Sequence, residues 1–283
     1  MTPVRKAIWY VESHFAAPIT LEDVAANCGV SPYHLTRAFA AVTGQSVMRY
    51  ARARRLTEAA RSLASGAPNI LSVALDAGYG SHEAFTRAFR DQFGLTPEEA
   101  RSRGQLDTLD LMEPFKMTNA PSPELSEPRI ETTRKPLLIA GLGQRYSSET
   151  QAAMPAQWQR FGPYIGHVPG QVGPAAYGVI CNGDDDGNVD YICGVEVADF
   201  TQLPDDLARL RIAPATYAVF LHRDHVASIR STFTAIWESW LPRSGHEVAD
   251  APFFERYDER FNPDTGLGGI EIWMPITPAG ARA

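Results

Sequence analysis

Leu35-Thr36-Arg37-Ala38-Phe39 recurs fifty residues later as Phe85-Thr86-Arg87-Ala88-Phe89. Ahead of each copy the chain repeats itself again. Val24-Ala25 with Gly29-Val30-Ser31 matches Val73-Ala74 with Gly78-Tyr79-Gly80-Ser81, so the second turn is one residue longer. Each copy has the grammar of a helix-turn-helix. Thr20 reads as an N-cap with Asp23 at the third helical position, a carboxylate form of the capping box. Leu21, Val24, Ala25 and Cys28 then make an i, i+3, i+4, i+7 apolar stripe. Gly29 stands where the chain must reverse, as a left-handed C-cap does. Ser31 caps the next helix, and Pro32 takes its first position, where the missing N–H is harmless. Leu35, Ala38, Phe39 and Val42 share that helix's core face, and Phe85, Ala88, Phe89 and Phe93 do the same after a Ser81 cap.

The faces left outward carry the functional information. In the first copy they are Tyr33, Thr36, Arg37 and Ala40; in the second, His82, Glu83, Thr86, Arg87 and Arg90. A helix just after a short turn can enter the major groove of double-stranded DNA, where Arg bridges two guanine acceptors and Thr meets the thymine methyl. A single such helix is as readily the solvated face of a bundle. Two of them with Thr-Arg in one register favour DNA as the partner, with Glu83 the weakest member of the set. Gln45 to Leu63 reads as one long helix carrying Arg49, Arg52, Arg54, Arg55 and Arg61. At least half of these arginines belong to a solvated face; Arg54 is singled out as a phosphate contact, which gives affinity without sequence information. Both recognition helices are expected to project from one bundle in the same direction, into successive grooves of one duplex.

The chain has 283 residues, 44% of them hydrophobic and 21% charged. At about 150 residues per domain that predicts two domains with real cores. No run approaches the roughly 18 apolar residues of a membrane helix. Met1-Thr2-Pro3-Val4-Arg5-Lys6 leads into Trp9, Tyr10 and Glu12 without an apolar stretch, which does not read as a secretory signal. Three cysteines without metal-ligand spacing fit a reducing cytoplasm, the bacterial nucleoid being the expected place of work, with no cofactor and no metal. The net charge of −7 hides an asymmetry: residues 1–104 carry +3 and the remainder −10. Two parts with different partners are implied.

Between Gln105 and Pro128 lie Pro114, Pro121, Pro123 and Pro128, which forbid a continuous helix or central strand. The reading is therefore an all-α domain over 1–104, a proline-containing linker over 105–127, and an α+β domain over 128–283. The last holds strands at Leu137–Leu142, Tyr177–Cys181 and Tyr191–Val197 with a helix at Met154–Phe161. A second set follows, with strands at Thr216–Phe220, Phe253–Tyr257 and Ile270–Ile276 and a helix from Val226 to Leu241. It is a strand-helix-strand-strand unit used twice. Asn182, Asp184, Asp186 and Gly187 imitate half a calcium loop, but Cys193 stands where a bidentate Glu is required and strands flank it, so a hairpin turn is expected. Alternation puts Phe253, Glu255 and Tyr257 on one strand face, and Glu271 with Trp273 on one face of the last strand. A carboxylate among aromatics is a receptor for a lipophilic cation; the plainer alternative is that Glu255 pairs with a nearby Arg.

Two resemblances extend these readings. Residues 3–103 resemble the AraC/XylS family DNA-binding domain through Leu21-x-x-Val24-Ala25, Gly29-x-Ser31, Leu35-x-Arg37-x-Phe39, Gly44, Tyr50, Arg54, Ala59, Val73-Ala74, Gly78-Tyr79, Phe85-x-Arg87-x-Phe89 and Gly94-x-Thr96-Pro97. The resemblance is to the MarA, SoxS and Rob subgroup, which implies seven helices with two helix-turn-helix modules, and Tyr33 stands where that subgroup often has tryptophan. Residues 128–277 resemble the GyrI-like effector-binding domain through Trp237-x-x-Trp240-Leu241-Pro242-x-Ser244-Gly245, Pro252-x-Phe254-Glu255-x-Tyr257 and Ile272-Trp273-Met274-Pro275-Ile276. It implies that Glu255 faces the ligand; Tyr257, Trp273, Tyr177 and Phe220 are the expected walls.

The function expected is a sequence-specific transcription regulator, not an enzyme, modulated by a hydrophobic or cationic small molecule, with RNA polymerase a further partner. The alternatives are a small-molecule hydrolase using Glu255 as base, or a protein-partner module. No Ser-His-Asp arrangement or G-x-S-x-G elbow is present, and His167, His222, His225 and His246 lack metal spacing. No residue is assigned a catalytic role.

Overall fold

The computed structural model describes residues 2–107, 109–115, 125–147, 150–184 and 188–278. The front is helical: α1 (Pro3–His14), α2 (Leu21–Cys28), α3 (Pro32–Thr43), α4 (Val47–Ala64), α5 (Ile70–Asp76), α6 (His82–Phe93) and α7 (Pro97–Arg103). The local chemistry behind the helix boundaries is that of the sequence. Thr20 accepts from the Asp23 N–H while Asp23 accepts from the Thr20 N–H, closing the capping box of α2. Gly29, at φ 73°, ends α2 in the left-handed conformation, and the Ser31 and Ser81 side chains cap α3 and α6.

The linker expected over 105–127 is described only in part; Pro121 and Pro123 lie outside the described residues. What is described is pinned along α4: the Met112 N–H donates to Thr57 Oγ1 and the Phe115 N–H to Tyr50 Oη, each at 2.9 Å.

The back is one antiparallel sheet with helices against it. Its strands are β1 (Arg129–Thr132), β2 (Leu137–Tyr146), β3 (Gln171–Cys181), β4 (Val189–Val197), β5 (Ala208–Ile212), β6 (Thr216–His222), β7 (His246–Val248), β8 (Phe253–Tyr257) and β9 (Ile270–Pro278). They lie in the order β1-β6-β9-β8-β3-β4-β2-β5, with β7 attached to β9. The doubled unit is visible as β2–α8–β3–β4 and β6–α9–β8–β9, where α8 is Met154–Phe161 and α9 is Ile229–Ala235. The halves join where β3 pairs β8, with Gly178 opposite Glu255 and Ile180 opposite Phe253. Strands β1 and β5 did not declare themselves in the sequence because they are edge strands, and charges such as Arg129, Glu131, Arg209 and Arg211 interrupt their apolar runs.

Two expectations on this half need qualification. The helix from Val226 to Leu241 is not uniform: a 3-10 turn precedes α9, a π-helical turn spans Ile236–Trp240, and a 3-10 turn ends at Arg243 with Pro242 inside it. The acidic turn joins the antiparallel β3 and β4, as a hairpin requires, although Asp185, Asp186 and Gly187 lie outside the described residues.

Apolar side chains gather into clusters that ignore the sequence boundary. One runs from Val4, Val11, Val24, Leu35 and Phe39 of the front into Phe220, Phe233, Trp237 and Met274 of the back. Another belongs to the second module alone, with Leu56, Ala60, Leu63, Phe85 and Phe89.

Candidate nucleic-acid interface and effector cleft

The two recognition helices have different surroundings. On α6 the outward set stands in solvent: Glu83, Arg87 and Arg90 are exposed. His82 is half-buried, with Nε2 3.0 Å from Glu98 Oε1, and Thr86 is half-buried with an enclosed hydroxyl. Helix α3 is different. Thr36 is 4% exposed and Arg37 6%, while Tyr33 and Ala40 are half-buried. The expectation of two helices projecting side by side fails for α3. Its inward face packs within its own bundle through Leu35, Ala38 and Phe39, while its outward face meets the sheet domain of the same chain.

Three ties along the helix hold α3 there. Near its start, His34 Nε2 is 2.7 Å from the Ala249 carbonyl oxygen, and its Nδ1 is 2.7 Å from Ser31 Oγ, so a ring donating through Nε2 serves both. At its middle, Arg37 NH1 donates to Tyr33 Oη at 2.9 Å and to the Ile180 carbonyl at 3.1 Å. The guanidinium carbon lies 3.3 Å from the centre of the Phe253 ring. At its end, Arg230 from α9 donates to the Ala40 and Ala41 carbonyls at 2.8 and 3.1 Å. Those carbonyls belong to the last turn, where helices leave acceptors open and attract cations. Arg37 Nε is buried without a hydrogen-bond partner among the described residues. Burial pulls the Arg37 pKa down to about 10, with Tyr33 and Glu255 acting against it.

Arg54, expected on phosphate, is instead an internal cation, 4% exposed. Glu12 takes it in a two-pronged pair, Nε to Oε1 at 2.9 Å and NH2 to Oε2 at 3.1 Å. NH1 donates to Glu58 at 3.2 Å and to the Met112 carbonyl at 2.9 Å. Desolvation would depress the guanidinium pKa, but the paired carboxylates outweigh it and raise it. The remaining arginines of α4 divide: Arg55 donates to the Phe15 and Ala17 carbonyls, Arg61 pairs with Glu58 and Glu113, and Arg49 and Arg52 stay exposed.

Phe253, Glu255 and Tyr257 share one face of β8, the face on which α8 and α9 lie. Glu255 is 7% exposed. Its Oε2 accepts from Tyr257 Oη at 2.8 Å and from Tyr191 Oη at 2.9 Å, and Trp158 Nε1 of α8 donates to Tyr191 Oη at 3.0 Å. Burial raises the carboxyl pKa; the two tyrosine hydroxyls and the Arg37 charge partly offset that. Burial likewise drives both tyrosine hydroxyls well above their ordinary range, so they remain donors. The absence of a side chain at Gly178 makes room for the network: a Cβ there would run into Tyr191 Oη and lie 2.7 Å from Glu255 Oε2.

The residues expected as walls divide between the two faces of the sheet. Tyr257 adjoins Glu255. Phe220 is on the same face but packs into the core against Trp240, ring centres 5.0 Å apart. Tyr177 and Trp273 lie on the opposite face, around Phe254, because the register pairs Phe254 with Trp273 and sets Glu255 opposite Ile272. Glu271 belongs to that other face. It accepts from Trp273 Nε1 at 3.1 Å and from Arg129 and Arg256 at 2.9 and 3.2 Å. Burial would raise its pKa, but these donors hold it below the ordinary range. Alternation within one strand was legible; which strand neighbours which was not, and so Tyr191, Trp158 and Gly178 went unmarked.

Comparison with known proteins finds one family match on each half of the chain. Residues 24–103 match the helix-turn-helix domain family, and residues 126–277 match the GyrI-like small molecule binding domain. The transcriptional regulator Rob of Salmonella typhimurium is 28% identical over 281 residues, 95% of this chain and 94% of that protein. The right origin-binding protein of Escherichia coli is 32% identical over 180 residues, 62% of this chain and 61% of that protein. The regulatory protein SoxS of Escherichia coli is 37% identical over 100 residues, 35% of this chain and 94% of that protein. A doubled helix-turn-helix joined to a doubled strand-helix-strand-strand unit has one consistent meaning: the chain belongs to the AraC-type DNA-binding transcription regulators that carry a GyrI-like effector domain.

Proposed function

We propose that the protein reads a specific DNA sequence through α6 and, once α3 is uncovered, through both helices, and that a hydrophobic or cationic small molecule in the Glu255 cleft adjusts this. The observation that carries the reading is a pair: exposed Arg87 and Arg90 on a capped recognition helix, and a buried Glu255 carboxylate ringed by Tyr191, Tyr257 and Trp158. Glu83, Thr86, Arg87 and Arg90 supply base-edge and phosphate contacts from α6, with His82 at its start; Tyr33, Thr36 and Arg37 supply them from α3. In the cleft, a buried carboxylate attracts a cation and aromatic faces accept it. Both hydroxyls on Glu255 favour its charged form, which suits holding a cation.

The same arrangement argues against catalysis. Glu255 already accepts at Oε2 from two tyrosines, which suits holding a cation rather than taking up a proton, and the related Rob and SoxS are named as regulators. The chain divides into a DNA-binding domain at 1–104, a linker at 105–127 and an effector domain at 128–283 in this reading. RNA polymerase is its partner at a promoter, and the bacterial cytoplasm, at the nucleoid, its place of work. The test is selection of bound duplexes from a random pool, followed by titration of the selected duplex with and without a tetraaryl cation. Enrichment of one motif and a cation-dependent change in affinity are expected. A pool that returns no motif overturns sequence-specific reading, and binding of the cation equally to Glu255→Gln overturns the cleft assignment.

A further inference from the structure

Arg37 belongs to two sites at once. By its place on α3 it is a base-reading side chain, yet its guanidinium is stacked on Phe253, two residues from Glu255 on the same strand face. In chemical terms Arg37 is a planar delocalised cation held by an aromatic ring, a carbonyl and the attraction of a buried carboxylate. That set of partners is the set the cleft would offer a small cationic molecule. We infer that Arg37 is the built-in occupant of the effector cleft, so that the cleft takes planar cations of the guanidinium or amidinium type, and such a ligand and a DNA duplex both compete with the docked α3.

The competition follows from exclusion. The helix cannot present Thr36 and Arg37 to a groove while they are 4% and 6% exposed and Arg37 rests on Phe253 and Ile180 of the sheet domain. The docking is built rather than incidental, because His34, Arg37 and Arg230 tie the start, middle and end of the helix across it. The weak point is also Arg37: a desolvated charge whose Nε finds no acceptor among the described residues. A buried charge with incomplete hydrogen bonding is poorly compensated, and a ligand that meets Glu255 and the Phe253 ring more fully can displace it. A ligand shifts the equilibrium only by its preference for the undocked form, which here is the form with a vacated cleft.

This inference rests on the reading that Glu255 marks a cation cleft and that α3 reads DNA, and the experiment separates the two. Benzamidinium, as the probe, is titrated calorimetrically into the full chain and into Arg37→Met, while hydrogen exchange is followed over residues 32–43 and 253–257. Arg37→Met should bind the probe about tenfold more tightly, since the unoccupied cleft no longer has to be cleared. In the unaltered chain the probe should slow exchange at 253–257 and speed it at 32–43. Arg230→Ala leaves both the cleft and the DNA-reading face intact; it should by itself raise affinity for the selected duplex several-fold and diminish the probe's further effect. Probe binding with protection at 253–257, but unchanged exchange at 32–43 and unchanged duplex affinity, overturns the competition and leaves the cleft standing. No binding to either the unaltered chain or Arg37→Met overturns both.

Discussion

The guanidinium carbon of Arg37 lies 3.3 Å from the ring centre of Phe253, so a side chain of the first recognition helix rests on a strand of the second domain. Its counterpart fifty residues on, Arg87, stands in solvent. Two near-identical pentapeptides therefore meet different environments.

Arg87→Ala should weaken binding to the selected duplex by about 1–3 kcal/mol and relax discrimination at one base pair. Stability should move by no more than about 0.5 kcal/mol, as expected of an exposed side chain. Fluorescence anisotropy on specific and scrambled duplexes checks the first, and thermal unfolding checks the second. Equal losses on both duplexes would make Arg87 a phosphate contact.

Arg54→Ala should behave in the opposite way. Glu12 would lose both of its bonds to the guanidinium, and Glu58 and the Met112 carbonyl would each lose one. Removing one partner of a buried ion pair costs about 3 kcal/mol or more. Urea titration should register that loss, while the salt dependence of DNA binding keeps its slope. A slope lower by about one would return Arg54 to the phosphate backbone.

The repeat, the caps and the strand alternation were legible because each is a local property of the chain. Thr20, Gly29, Ser31 and Ser81 do what their types dictate, and α8 and β8 fall on the residues read for them. What the sequence could not reveal is which surfaces meet. Arg37 and Arg54 looked solvent-facing because Phe253 and Glu12, their partners, are remote in sequence. Trp273 looked like a neighbour of Glu255 because the β8–β9 register cannot be read from either strand alone.

Glu255 predicts a pH dependence. Its carboxyl titrates above the ordinary range because it is buried, so the folded chain holds a proton that the unfolded chain has released. Between those two values the contribution of Glu255 to stability declines as pH rises. Over the same window the deprotonated carboxylate becomes available, so affinity for a cation increases. Glu255→Gln should flatten both trends. Thermal unfolding and cation titration from acid to neutral pH check this, and unchanged slopes in Glu255→Gln would assign them to other groups.

Gly178→Ala should disturb the cleft without touching the helices. The added methyl would strike Tyr191 Oη and lie 2.7 Å from Glu255 Oε2. Crowding of this kind costs about 1–3 kcal/mol. Loss of cation affinity with retained DNA binding is the expected pattern, measured by calorimetry and anisotropy on one preparation.

The apolar clusters divide the molecule differently from its sequence. Helices α1 to α3 share theirs with Trp237 and Met274, whereas α5 and α6 close on themselves around Phe85 and Phe89. The shaft α4 enters both, with Val47 and Tyr50 in one and Leu56 and Leu63 in the other. Severing the chain after Gly104 would thus strip an oily flank from the leading module and leave its twin whole. Heat and denaturant should discover that seam, parting the protein within α4 before they part it at the prolines.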